Sequence, residues 1–384
     1  MKILIKNSKM ILKDKIVTGQ NLVIENGVIK NLLLEIDETE KFDIIIDANN
    51  DYVSPGFIDI HNHGNSGYDI MDGTVEGLEA MAKYHLSNGV TSFLGATMTN
   101  PASKIRNALK NVARYMKDQS SFRSELLGVY LEGPYFNAEK KGAQPLEDIK
   151  KPDLEEVKDF IDVSENNIKV VALAPEEEGA LPMIEYLVNN DIKVAMGHSN
   201  ATYDEANKGI DKGVTISTHL YNGMRAFSHR EPGIIGACFT SDKVFSEMIV
   251  DGIHLHPGAI KTAYLAKTAK KLILISDAMR ATGLPDGKSE LGGQVVNIHN
   301  GEARLEDGTL AGSTLNLRKA VQNMVELCKL PLVDAVRMAT YNPASAINME
   351  EKIGQIKEGL KADIIIFDDS INIKNIIKNG HIIK

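Results

Sequence analysis

The chain has 384 residues, 43% of them hydrophobic, enough for a large core in several domains or in one α/β barrel with additions. A net charge of −9 and a pI of about 5.6 argue against the basic surface that nucleic-acid binding wants, and an anionic substrate would need a local cationic pocket. The two cysteines, Cys238 and Cys328, read as free thiols of a reducing compartment, and the lysines scattered through MKILIKNSKMILKDKIV break up any signal-peptide core. No run approaches the roughly 18 apolar residues of a membrane span. The expected protein is soluble and cytoplasmic.

In chain order, the first fifty residues alternate short apolar runs with turn signals: ILIKN, MILK, NLVIENGVIKNLLL, DIIID. Asn26-Gly27 accepts positive φ at both central positions and predicts a two-residue hairpin. The middle of the chain is different. Apolar runs recur at FIDIH (57–61), TSFLGAT (91–97), LLGVYLE (126–132), KVVALAP (169–175), KVAMGH (193–198), TISTH (215–219), SEMIVDG (246–252) and LILISD (272–277). Helical stretches lie between most of them, one predicted over 101–118 with Pro101 in its first turn. Such alternation indicates a parallel sheet covered on both faces, and eight units indicate a (β/α)8 TIM barrel. An open doubly wound sheet is the alternative, but no GxGxxG follows the first strand. Residues 283–312 are Gly-rich with hairpin turns, and read as an excursion near the active face, a candidate lid. The last segment, ending in KADIIIFDDSINIKNIIKNGHIIK, returns to β runs with a second Asn-Gly at 379–380. Residues 1–54 and 345–384 are therefore expected to form one small β-sandwich domain bracketing a metal-dependent barrel over 55–344.

Chemistry in such a barrel sits at the C-terminal ends of the strands. The first strand ends in His61 and His63, which share a face because strand residues two apart do. The third ends in Glu132, the fifth in His198, the sixth in His219, the seventh in Asp251 ahead of His254 and His256, and the eighth in Asp277. Each has an ordinary structural explanation alone: Glu132 in a core salt bridge, His198 as a residue before a helix capped by Ser199, Asn200 or Thr202. Together they would be costly to bury unless a cation joins them. Imidazole and carboxylate suit Zn²⁺, Fe²⁺ or Co²⁺. Glu132, His198 and His219 form a three-ligand set with an open position, and His61 and His63 could complete a second site with Glu132 shared. One ion or two stays open. Asp277 is the best general base, because a cation acidifies water and a nearby carboxylate can take its proton and return it to a leaving nitrogen. Metal contact by Asp277, or a cap before AMRATG, are its alternatives.

PGFIDIHNHG, YLEGPY, KKGAQ, GHSNAT, THLYNGM, REPG, DGIHLHP, SDAM and LAGS, in this order from about Pro55 to Pro343, resemble the N-acetylglucosamine-6-phosphate deacetylase family of the amidohydrolase superfamily. The resemblance implies hydrolysis of the acetamide of N-acetyl-D-glucosamine 6-phosphate in amino-sugar catabolism. It implies one or two divalent ions per subunit (Zn²⁺ or Fe²⁺) on Glu132, His198, His219, His61 and His63, with Asp277 as acid and base. It also implies substrate contacts from Ala143, Gln144, Asn222, Gly223, Arg230, His254, Leu310, Ala311 and Gly312. Arg230 offers a planar fork of donors suited to phosphate. His256 is expected to be structural. The partner is a small phosphosugar, not nucleic acid or a membrane. A homodimer or homotetramer is implied, with Arg230 or His254 as residues that could reach a neighbouring site. Some family members carry histidine where Gln144 stands, which bears on sugar preference. The alternatives are a deacetylase of another N-acetyl amino-sugar phosphate, such as the galacto epimer, an N-acyl amino acid hydrolase, and a non-catalytic scaffold on the same fold. The scaffold reading expects missing metal ligands, and here the set is complete.

Overall fold

The computed structural model describes residues 1–37 and 39–384. Its largest sheet has eight parallel strands in sequential order: Phe57–Asn62, Val90–Ala96, Glu125–Glu132, Ile168–Leu173, Lys193–Met196, Val214–Ser217, Phe245–Ile249 and Leu272–Ile275. All eight predicted runs are barrel strands. They form strands because each is a short, nearly unbroken apolar segment that can be buried on both faces. The ring closes where the eighth strand returns to the first. Asp277 N donates to His61 O at 3.0 Å, and His63 N donates to Ala278 O at 2.9 Å.

Helices cover the outside. Ala102–Asp118 fills the predicted 101–118 segment, with Pro101 one position earlier than expected, as the N-cap. Apolar residues such as Ile105, Leu109 and Val112 recur at helical spacing and are buried against the barrel. Thr202, among the candidate caps after His198, caps Tyr203–Lys212, and Glu205 completes a capping box.

Both chain ends build the additional sheets. Lys2–Lys6, Asn21–Glu25, Val28–Leu33 and Ile44–Asp47 form a four-stranded sheet. Lys9–Ile11, Ile16–Val17, Tyr52–Pro55, Ile364–Phe367, Ile373–Lys378 and His381–Ile382 form a six-stranded one. Asn26-Gly27 and Asn379-Gly380 turn the predicted hairpins with positive φ at all four residues. The run Ile364–Phe367 is buried throughout because its sheet has two covered faces. Ile364 and Ile366 join the terminal core with Ile3, Ile5 and Leu22, while Ile365 and Phe367 join the barrel core. Lys378 makes a buried ion pair within the terminal segment and also reaches the barrel. Lys378 Nζ lies 2.6 Å from Asp363 and 3.4 Å from Glu125, the first residue of the third barrel strand.

The excursion after the eighth strand is a three-stranded antiparallel sheet: Gly287–Leu291, Gln294–His299 and Glu302–Arg304. Leu291, Val296 and Ala303 pack with Met98, Ala143 and Met279 in a small separate core. Gln294 Nε2 donates to Ala143 O at 2.6 Å. The segment forms a packed wall over the barrel mouth.

Candidate metal centre and active site

The charged strand ends converge. Glu132 presents its two oxygens to different imidazoles. Oε1 lies 3.3 Å from His198 Nε2, 3.2 Å from His219 Nε2 and 3.6 Å from His61 Nε2. Oε2 lies 3.2 Å from His63 Nε2. Asp277 Oδ1 stands 3.3 Å from His63 Nε2 and 3.7 Å from His61 Nε2. All six side chains are buried.

The arrangement fits a divalent cation. The Nε2 atoms of His198 and His219 are 3.1 Å apart. Tetrahedral ligand atoms at bonds of about 2.0–2.1 Å stand roughly 3.3–3.4 Å from one another, close to the observed spacing. The far side of each ring supports the same conclusion. His198 Nδ1 donates to Lys140 O at 2.9 Å, and His219 Nδ1 donates to Asn222 O at 3.1 Å, which leaves a bare lone pair on each Nε2. Among the described residues, the buried His61 Nε2 has no hydrogen-bond partner. Two overlapping sets could each hold an ion, Glu132/His198/His219 and His61/His63/Glu132.

The electrostatics call for positive charge. Burial opposes a proton on each imidazole, yet Glu132 and Asp277 raise His63 well above its ordinary value and, with Glu247, push His219 up to about 9. Burial likewise opposes charge on Glu132, but positive charge on His61 and hydrogen bonds from His198, His219 and His63 hold its carboxyl well below the usual range. Asp277 is shifted down too, against its burial, by the hydrogen bond from His63 and by charge on His61, His63 and His219. The carboxylates thus favour positive charge at this point, which a bound cation would supply.

This cluster floors a cavity of about 350 Å³. Ala143, Gln144, Asn222, Gly223, His254, Leu310 and Gly312, all named above as candidate substrate contacts, line it. Two further expected contacts, Ala311 and Arg230, lie outside the lining. Gln144 is bound to protein at both ends of its carboxamide: Nε2 donates to Glu132 Oε2 at 2.8 Å, and Oε1 accepts from Thr99 N at 3.0 Å. Its visible work is to hold the carboxylate. Ala311 lies behind the wall, with its N–H on Ala303 O. Arg230 is exposed and outside the cavity lining of its own chain. His254 Nδ1 pairs with Asp251 Oδ2 at 2.6 Å, and His256 caps the helix Pro257–Lys267. The cavity also meets Arg304, a cation the sequence reading passed over, and Met98, Ile249 and Leu291. Nothing in the single sequence marked Arg304, because it belongs to the excursion and not to a strand end.

A model of the amidohydrolase family matches residues 52–383. The N-acetylglucosamine-6-phosphate deacetylase of Lysinibacillus sphaericus is 39% identical over 88% of this chain and 87% of its own length. The N-acetylgalactosamine-6-phosphate deacetylase of Escherichia coli O157:H7 is also 39% identical, over 85% of this chain and 86% of its own. Among solved structures, a point mutant of N-acetyl-D-glucosamine-6-phosphate deacetylase from Mycobacterium smegmatis, in complex with N-acetyl-D-glucosamine-6-phosphate, superposes with a TM-score of 0.93 at 29% identity. The alignment covers 100% of this chain and 99% of that one.

Proposed function

The chain belongs to the amidohydrolase family, and on that footing we propose that it hydrolyses the acetamide of N-acetyl-D-glucosamine 6-phosphate to D-glucosamine 6-phosphate and acetate. The observation that carries this reading is the convergence of four imidazoles on Glu132, with Asp277 beside them, at the floor of one cavity. Glu132, His198 and His219 would hold a divalent ion, Zn²⁺ or Fe²⁺, and His61 and His63 would offer a second position. Bound there, a cation would supply Lewis-acid polarisation of the acetyl carbonyl and a more acidic water near neutral pH.

The chain's own residues supply the rest. Asp277, at the end of the eighth strand, takes the proton from the attacking water and returns it to the departing amine. His254, oriented through Nδ1 by Asp251, presents its other nitrogen to the substrate. Asn222 and Gly223 hold hydroxyl or phosphate oxygens with amide donors. Leu310 and Gly312 bound the sugar from the excursion, and Ala143 and Gln144 from the loop after strand three. Contacts to the distant phosphate orient the acetamide, so binding energy remote from the reacting carbonyl serves the reaction. Arg230, exposed on its own chain, reaches the cavity of a neighbouring subunit in a homodimer or homotetramer. The working compartment is the cytoplasm, and no helix among the described residues is long and apolar enough to cross a membrane. Residues 1–54 and 345–384 act as the β domain and 55–344 as the catalytic barrel.

The galactosamine-specific relative, as similar as the glucosamine-specific one, favours a second reading in which the galacto epimer is the better substrate. Acetate release is compared for the two epimeric 6-phosphates and for unphosphorylated N-acetylglucosamine, with metal content determined alongside. The gluco 6-phosphate is expected to give the highest kcat/KM and the unphosphorylated sugar a rate lower by several decades. Equal rates with and without phosphate would refute the assignment, and a faster galacto epimer would transfer it to the second reading.

A further inference from the structure

Glu247 occupies the middle of the seventh barrel strand, Phe245–Ile249, with no exposed surface. It has no part in the reading above. Its Oε2 accepts the main-chain N–H of His219 at 3.2 Å and lies 3.0 Å from His61 Nδ1. That places the His61 proton on Nδ1, between ring and carboxylate, and leaves Nε2 bare. Nε2 points the other way, without a hydrogen-bond partner among the described residues, 3.6 Å from Glu132 Oε1 and 3.7 Å from Asp277 Oδ1. The ring has little freedom to turn. It is fully buried and stacked on Tyr130 at 4.4 Å between centroids, and Tyr130 is itself fixed through its hydroxyl to Thr218 Oγ1 at 2.8 Å.

His61 differs from the other imidazoles in this respect. His198 and His219 rest their Nδ1 atoms on main-chain carbonyls, and His63 Nδ1 has no partner among the described residues. His61 alone of the four has a carboxylate behind it. An imidazole backed by a carboxylate is held in one tautomer and made a more basic ligand. Without that acceptor, the proton could sit on Nε2 and be donated to Glu132, closing the second position. Among the described residues no lysine or arginine pairs with Glu247, whose one ion-pair partner is His61. Charge counting agrees. Glu132, Asp277 and Glu247 bring three carboxylates to four neutral imidazoles. One divalent ion leaves this buried set with a net negative charge, which is costly. Two leave a single positive charge, matched by one anionic ligand from solvent or substrate.

We propose that Glu247 is the positioning residue that makes His61 and His63 a working second cation position, so that the chain takes two divalent ions. The inference rests on the metal-dependent reading above. The test reconstitutes metal-stripped wild type, E247Q and E247L with Zn²⁺, counts ions per chain by elemental analysis after gel filtration, and titrates each protein against a competing chelator. Wild type is expected to hold two ions. E247L is expected to hold one, with the affinity of the other step reduced at least 10–100-fold. E247Q keeps an acceptor oxygen and should recover part of that loss. In metal-free wild type, ¹⁵N NMR of His61, assigned by its loss in H61N and followed to alkaline pH where the ring is neutral, should show the Nδ1–H tautomer. That measurement decides the matter even if E247L does not fold. Retention of both ions by E247L at unchanged affinity, loss of both together, or an Nε2–H tautomer in the wild type each overturns the proposal. A wild type with one ion overturns it while sparing the metal reading. A wild type with none removes that reading as well.

Discussion

Asn in place of Asp277 isolates the proton-transfer step. The change keeps the side-chain volume and the reach to His63 Nε2, 3.3 Å from Oδ1, but removes the ability to accept a proton. The backbone there is pinned on both sides, with Asp277 N on His61 O at 3.0 Å and Ser313 N on Asp277 O at 2.8 Å. The substitution should therefore leave the strand end where it is. What remains is the loss of a general base, worth about 10²–10⁴ in rate. At about 1.36 kcal/mol per decade this is roughly 3–5 kcal/mol of transition-state stabilisation. The expected phenotype is a kcat lower by that factor. KM should stay close to wild type, because the proposed sugar and phosphate contacts lie on other strands and loops. The lost charge also weakens attraction for a cation, so acetate release is measured at saturating metal and metal content is determined on the same sample. A D277N enzyme with equal metal and a kcat within about tenfold of wild type would falsify the assignment of Asp277 as base.

Two further predictions concern stability. In metal-free protein, His219 titrates at about 9 in the fold against 6.5 without it, burial being outweighed by Glu132, so its stabilisation is full below about 6.5 and lost as pH rises through about 9. Metal-loaded protein should gain stability over the same window, because protons and cations compete for the same nitrogens; parallel slopes in denaturant melts at pH 6–9.5 would contradict this. K378M strips the buried Asp363 of its cation and should cost about 3–5 kcal/mol in denaturant unfolding, with activity per folded molecule unchanged. Adding D363L should recover most of that loss, and failure of the double variant to improve on K378M would mean that the cost does not come from an uncompensated Asp363.

The barrel was legible because a parallel strand buried on both faces leaves a plain mark, a short apolar run with a polar residue at its end. The terminal hairpins were legible because Asn-Gly is specific for the turn. That the two ends share one domain was expected from their matching β runs, but which strand pairs with which was not. Tyr52–Pro55 lies against Ile364–Phe367, and no local signal links segments three hundred residues apart. The ligand set could be read from cost, since imidazoles and carboxylates at the ends of buried strands need a reason. Glu247 carried a signal that went unused. It shares strand parity with Ile249, which lines the cavity, so a carboxylate two residues earlier in FSEMI should also face inward. Gln144 was legible as a cavity residue but not as the partner of Glu132, because an amide can serve a hydroxyl or a carboxylate equally well.

Alternation explains part of the site and fails for the rest, and the failure has a cause in the backbone. His61 and His63 share a face by spacing, as do Tyr130 and Glu132. Tyr130 stacks on His61 and bonds Thr218, so Thr218 also points into the barrel. Strict alternation would then send His219 outward, toward the helices. Instead His219 has φ 29°, and His198 and Asp277 have φ 45° and 47°. These are left-handed conformations that cost side-chain-bearing residues of order 1–3 kcal/mol, although His and Asp tolerate them better than most. The twist ends the strand and turns the side chain into the mouth. A glycine would relax the backbone at 219 and lose the ligand. Histidine keeps both because neighbouring bonds fix it: Nδ1 on Asn222 O, its main-chain N–H on Glu247 Oε2, and Leu220 N on Glu247 O at 2.8 Å. Glu247 therefore holds His61 by the ring and His219 by the main chain, one imidazole from each candidate cation position. The strain at the strand end and the buried carboxylate are two parts of one device for aiming imidazoles that the strand alone would misdirect.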